Sequence, residues 1–301
     1  MRFTIHIRNT VAGLLCTAGA LYGQGPFDGY LKGKGNLDIA PSFSSNTFDQ
    51  FQGADQQRYD LSYRGYLLSI FAEYGLTKNL DLIGTGAYIF TPLKDGLQDG
   101  GLFVKYRFLR RQIAGNFNLH LLAGSGLAFP LSDYEPTANG ALGVKAITLP
   151  ARLIVQLETP VGLFINITGG YNWRLDRASK GDVAAVRMSR PDFEAQAPAN
   201  YTSLLLKVGF PAAHYYLDAW YEWQYTPGGT DYLPGVVDLP QLYGVSYNQI
   251  GGTAYYSESG KMGFYISSAY IFSGRNVGEI FRLTGGVVVK LNFIKKQINV
   301  E

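Results

Sequence analysis

The side chains of this sequence with the strongest claim to chemistry are its histidines and a set of charges recurring at every second position of apolar-patterned stretches. A serine nucleophile needs a histidine base within hydrogen-bond reach. His120 falls on the polar phase of its stretch, and Ser125, the nearest serine downstream, falls on the opposite phase. His214 lies in a short turn and His6 near the N-terminus. Without a histidine cluster or a cysteine pair there is no zinc set. Asp95-Gly96 and Asp99-Gly100 lack the spacing of a calcium loop and read as turns. The pairs Gly169-Gly170, Gly251-Gly252 and Gly285-Gly286 precede no helix, so they cradle no phosphate and instead relieve crowding in strands. The expectation is a protein that is not an enzyme and has no metal and no cofactor.

The charges carry more information. Lys105, Arg107, Arg152, Arg174, Lys207, Asp218, Glu222, Arg282 and Lys290 each alternate with apolar neighbours. In residues 281–293, Phe281, Leu283, Val287, Val289, Leu291 and Phe293 share one face of a strand, and Arg282, Thr284, Lys290 and Asn292 share the other. Such a strand faces two solvents. A sandwich would give its apolar face a second sheet, whereas a membrane barrel would give it lipid and turn the charges into the lumen.

The same pattern recurs along the chain. Residues 59–76, 80–90, 101–109, 116–129, 140–158, 163–174, 201–210, 215–225, 242–256 and 261–273 read as strands, with residues 37–43 as the first and 281–293 as the last. Short turns alternate with longer loops, among them polar residues 46–58 and, the longest, 176–200. In residues 140–158 the apolar phase changes at Pro150, which predicts a β-bulge there and, with it, a lateral opening in the wall. About twelve strands with alternating short and long connections make an antiparallel up-and-down barrel, both termini on the short-turn side. The last strand should pair with the first, leaving no open edge.

Composition agrees. Charged residues are only 16% of the chain, fewer than a soluble helical protein carries, and no stretch after the leader is long and apolar enough for a membrane helix. Spanning therefore requires a closed sheet. Tyr66, Tyr74, Tyr106, Tyr171, Trp173, Tyr221, Trp223 and Tyr225 sit near strand ends on the apolar face, as interfacial girdles do. Arg2 and Arg8 followed by an apolar run read as a signal peptide over residues 1–23, with the barrel over 24–301. Removing those two arginines changes the net charge from +3 to 3 − 2 = +1, which leaves no basic field for nucleic acid. Cys16 lies within the leader, so the mature chain has no disulfide. The expected location is the outer membrane of a Gram-negative bacterium, the partners its lipid, a small solute and the assembly machinery that reads a terminal aromatic such as Phe293.

Gly33-Lys34-Gly35 before the first strand, EYGLTKNLDL over residues 73–82 and GGYNWR over residues 169–174 resemble the outer-membrane barrels of the MetA-pathway-of-phenol-degradation transporter family. The resemblance implies a channel for small, often hydrophobic or aromatic molecules. The charges above would then line the lumen and shape selectivity. Lys207 and Arg174 are expected to pair with Asp218 and Glu222. The alternative is a structural or adhesive barrel with a closed lumen, binding partners through its outer loops.

Overall fold

The computed structural model describes residues 26–54, 57–92, 94–134, 142–143, 145–175, 199–234 and 242–293. The expected signal peptide, most of the 176–200 loop and the tail beyond Phe293 lie outside these residues. Twelve long strands form one antiparallel sheet that closes on itself. They are β1 (Asn36–Gln52), β2 (Arg58–Gly75), β3 (Leu80–Phe90), β4 (Asp99–Ile113), β5 (Phe117–Pro130), β6 (Thr148–Glu158), β7 (Phe164–Arg174), β8 (Tyr201–Pro211), β9 (Tyr215–Tyr225), β10 (Ser246–Tyr256), β11 (Met262–Arg275) and β12 (Phe281–Asn292). Each pairs with its sequence neighbours, and β12 closes the ring against β1 from Asn36↔Asn292 to Thr47↔Phe281. Two short segments, Asp95–Leu97 and Val277–Gly278, extend β3 pairing and the β1 edge respectively.

Why this sequence closes into a barrel follows from its alternation. Leu68, Ile70, Leu102, Leu153, Leu206, Leu217, Phe264, Ile266, Phe281 and Leu283 point outward and are exposed. A continuous exposed apolar belt is stable in hydrocarbon, where a closed sheet also satisfies every ladder hydrogen bond. This is an outer-membrane β-barrel. The tight turns on the terminal side hold by local bonds. Thr77 Oγ1 accepts from the Asn79 amide at 3.1 Å, and the Ser257 Oγ accepts from the Gly260 amide at 3.1 Å. Both ends of the chain meet there: the Phe293 amide donates to the Gly35 carbonyl at 2.8 Å.

Three expectations change. The polar stretch 46–58 is mostly strand, because Asn46, Phe48 and Gln52 turn inward at the mouth and β1 and β2 continue their ladder to Gln52↔Arg58. The long strand 140–158 begins only at Thr148. Leu142 and Ala146, expected on the outer apolar face, are both buried, Leu142 in a cluster with Leu67, Ala87, Ile89 and Tyr134. Pro150 carries no bulge. The β5–β6 register is the same at Ser125↔Ala151 and Ala128↔Thr148, with the pairs between them missing. A proline has no amide to give to the ladder, so it interrupts hydrogen bonding without inserting a residue. Its carbonyl accepts instead from the Ser125 hydroxyl at 2.9 Å. The bulges lie at Phe48/Gln50, Arg107/Leu109 and Asn248/Gln249.

Closure at the terminal end depends on one close backbone approach. A Cβ at Gly75 would lie 1.9 Å from the Gly33 carbonyl oxygen, and the Gly75 carbonyl accepts from the Gly35 amide at 2.7 Å. Gly75→Ala should therefore force β2 away from the incoming chain, at a cost of about 1–3 kcal/mol. The expected readout is a lower temperature for conversion of the compact gel band to the unfolded one. Gly84→Ala, whose Cβ would meet only Leu102 at 3.7 Å, is the control that should not move it.

Candidate functional site

The lumen is built in three levels. At the terminal end, residues 26–35 run inside the barrel rather than along its outside. Phe27 packs edge-on against Phe103 with ring centres 5.6 Å apart, inside a cluster with Ile83, Leu122 and Ile154. Gly124 makes room for it, since a Cβ there would lie 2.5 Å from the Phe27 ring. Tyr30 meets Phe164 edge-on at 5.4 Å. Between these aromatics lies an ionic cluster. Lys105 Nζ bonds Asp28 and lies 2.7 Å from Glu73 Oε1. Lys32 Nζ lies 3.0 Å from Asp38 and 3.3 Å from Glu73, while its amide donates to Asp81 at 2.7 Å. Lys105 is completely buried. Charges this deep persist only when paired. The segment is thus bolted to the lumenal faces of β1 to β4.

This arrangement is uneven around the ring. Asp38, Glu73, Asp81, Ile83, Lys105, Leu122, Ile154, Gln156, Asn166 and Phe164, all on β1 to β7, are buried at this level. Across the lumen, Thr253, Tyr255, Tyr265, Ser267, Thr284 and Gly286 on β10 to β12 remain partly exposed. Hydroxyls there bond one another and the neighbouring β1, Thr253 to Ser267 at 3.2 Å and Thr284 to Ser44 at 2.8 Å, and Ser42 bonds Ser69 at 2.7 Å between β1 and β2. A polar lane runs beside the segment, with Lys290 at its terminal end, its ammonium 5.2 Å from the Tyr255 ring centre.

Above the segment, charges from several strands converge. Arg152 on β6 lies flat along the wall over Gly170, where a Cβ would come within 2.4 Å of its Cδ. It donates to Asn172 Oδ1 at 2.9 Å and to the Ala151 carbonyl at 3.0 Å. The Arg174 guanidinium stands over the Tyr201 ring at 5.2 Å. Arg282 donates to Asn46 Oδ1 at 2.8 Å. Glu222 bonds Tyr247 and feels the fields of Arg152 and Arg282. Trp220 lies nearby in a small cluster with Leu205 and Ala269.

At the outer mouth, two loops fold inward. Tyr232, Tyr243 and Val245 from the β9–β10 loop pack with Phe48, Phe51, Leu61, Tyr63 and Tyr247. Tyr134 from the β5–β6 loop bonds Asp99 and joins Leu67 and Ile89. Arg275 pins the first of these loops through Asp231, Nε to Oδ1 2.6 Å. Partial burial pushes the Asp231 carboxyl up, but bonds from Arg275 and Asn276 outweigh it and hold the group below the ordinary range. A depressed folded pKa contributes stability above the unfolded value and loses it as pH falls through the folded one. The loop should accordingly become accessible to pepsin below about pH 4, and Arg275→Ala should make it accessible even above that range; cutting independent of both pH and Arg275 would contradict this.

The expected lumenal charges thus separate. Arg152, Arg174, Arg282 and Glu222 gather at mid-lumen. Lys207 pairs with Asp218 at 3.6 Å, as expected, though between adjacent strands rather than across the lumen. Arg174 pairs with no carboxylate among the described residues but with a tyrosine ring, because its guanidinium lies beside Tyr201. Lys105 is an anchor for the N-terminal segment. Arg107 caps a turn, donating to the Lys78 carbonyl and Asn79 Oδ1 at 3.0 Å each. His120 lies 3.5 Å from Glu158, and His214 Nδ1 lies 3.2 Å from the Ser257 carbonyl in a turn. Among the described residues no group of side chains could hold a metal ion.

No family model matches this chain, and no curated protein matches it. Among solved structures, the COG4313 outer membrane channel from Pseudomonas putida F1 is similar in fold, with a TM-score of 0.62 and 14% identity over 88% of this chain and 98% of that one. The NanC porin is similar with a TM-score of 0.52 and 12% identity, over 85% of this chain and 100% of the other. At these identities the likeness is one of fold.

Proposed function

We propose that the chain is a passive channel that carries small molecules, hydrophobic and aromatic ones among them, across the outer membrane. The observation that supports this most is the unevenness of the lumen: one wall is sealed by the N-terminal segment, and the other keeps a partly exposed lane of hydroxyls and tyrosines. The partly exposed Tyr255 and Tyr265 in that lane give a flat apolar solute surfaces to meet. The two structural relatives are described as a channel and a porin, which agrees with such a role. The interrupted ladder beside Pro150 would let an apolar solute leave sideways into lipid.

A second reading, a structural barrel with a closed lumen, draws on the two inward loops and the inserted segment. Uptake into liposomes separates the two. Purified protein should speed entry of phenol-sized aromatics over protein-free vesicles, with little effect on a trisaccharide. Entry at the background rate for every solute would sink the channel and leave the closed barrel.

A further inference from the structure

We infer that the mid-lumen constellation makes the channel selective for small organic anions, aromatic carboxylates above all; this rests on the channel reading and adds the sign of the solute's charge. Three guanidiniums enter the lumen, Arg152 from β6, Arg174 from β7 and Arg282 from β12. They surround two tyrosines. Arg174 stands over Tyr201, and the Tyr247 hydroxyl lies in the fields of Arg152, Arg282, Tyr201 and Glu222. Two carboxylates among the described residues act on these groups, Glu222 on Arg152 and Arg282 and Asp99 on Arg174, so they sum to 3 − 2 = +1.

The rest of the lumen shows how this chain treats buried cations when no ligand is called for. Lys32 and Lys105 each meet two carboxylates, and Lys207 meets Asp218. Arg152 and Arg174 form no ion pair among the described residues; amides, carbonyls and a ring compensate them instead. Those neutral partners are weaker than a carboxylate, so a passing anion gains charge-assisted hydrogen bonds that the protein itself does not make. Guanidinium is planar and matches a carboxylate through two parallel bonds. Tyr201, partly exposed beside the Arg174 guanidinium, suits an aryl group. Below these groups, the lane on β10 to β12 ends at Lys290, which stands over the Tyr255 ring and faces Asp38 across the β1–β12 ladder.

The test combines planar bilayers under a potassium chloride gradient with vesicle uptake of benzoate, benzyl alcohol and benzylamine. The expected reversal potential is that of an anion-selective pore, and benzoate should enter fastest. Arg152→Gln and Arg174→Gln should each slow benzoate by roughly tenfold, the loss of one charged hydrogen bond, while leaving benzyl alcohol unchanged. Arg152→Lys keeps the charge and should keep most of the preference. Heat-modifiable migration verifies that each variant has folded. Conductance that is unselective or cation-selective, or equal rates for the three solutes, would overturn the inference and leave the channel standing. Absence of any conductance would remove both.

Discussion

Lys105→Met should be the most damaging single substitution in the lumen. The ammonium is wholly buried between Asp28 and Glu73, and removing it takes away the ion-pair partner of Asp28 and leaves Glu73 with Lys32 alone. Breaking a buried pair in this way costs about 3–5 kcal/mol, more than the pair itself contributes. The methionine fills the same volume, so the effect isolates charge from packing. Two outcomes are expected together: the folded band should convert at a lower temperature on a gel, and bilayer conductance should rise as the segment leaves the wall. Adding Glu73→Gln should recover a large part of the lost heat resistance, because Asp28 and Lys32 can then pair with fewer competing charges nearby. Unchanged conversion temperature in Lys105→Met would mean the segment is held by its aromatics alone.

Deleting residues 26–31 should have the largest effect on permeation. The deletion removes Phe27 from the Ile83, Phe103, Leu122 and Ile154 cluster and Tyr30 from Phe164, vacating the lumen beside β1 to β7. The barrel ladders do not include these residues, so folding should survive with some loss of heat resistance from newly wetted apolar surface. Single-channel conductance should step up, and larger solutes should enter. The anion preference should persist, because Arg152, Arg174 and Arg282 lie outside the deleted segment. A deletion that folds and conducts no better than the native chain would show that the restriction lies at the inward loops.

How much of this is legible in the sequence depends on which solvent a residue meets. Strands such as Phe281–Asn292 and Phe164–Arg174 are plain because lipid on one face and a wet lumen on the other impose strict alternation. The β1–β12 closure follows from the even count. The inserted segment was invisible for the opposite reason. Residues 26–35 have no period, and Phe27 and Asp28 look like linker until Lys105, 77 positions away, supplies the partner for Asp28. Leu142 and Ala146 misled because a loop that tucks inward needs apolar residues as much as a strand does. Pro150 misled because loss of an amide and insertion of a residue both interrupt a ladder, and only the register tells them apart. The pairing of Arg174 failed because alternation fixes the face on which a charge lies and says nothing of which neighbour its long side chain reaches. A cue did exist for the mid-lumen set: Arg152 and Gly170 are opposite each other in register, a long cation beside a residue without a side chain.

Single-channel recording of the native protein beside the 26–31 deletion tests the central claim, a barrel channel narrowed by its own N-terminal segment, most directly. The expected record is a small, anion-selective conductance for the native chain and a larger one of the same selectivity for the deletion. A silent bilayer with both proteins, each shown to be folded by its gel migration, would contradict it.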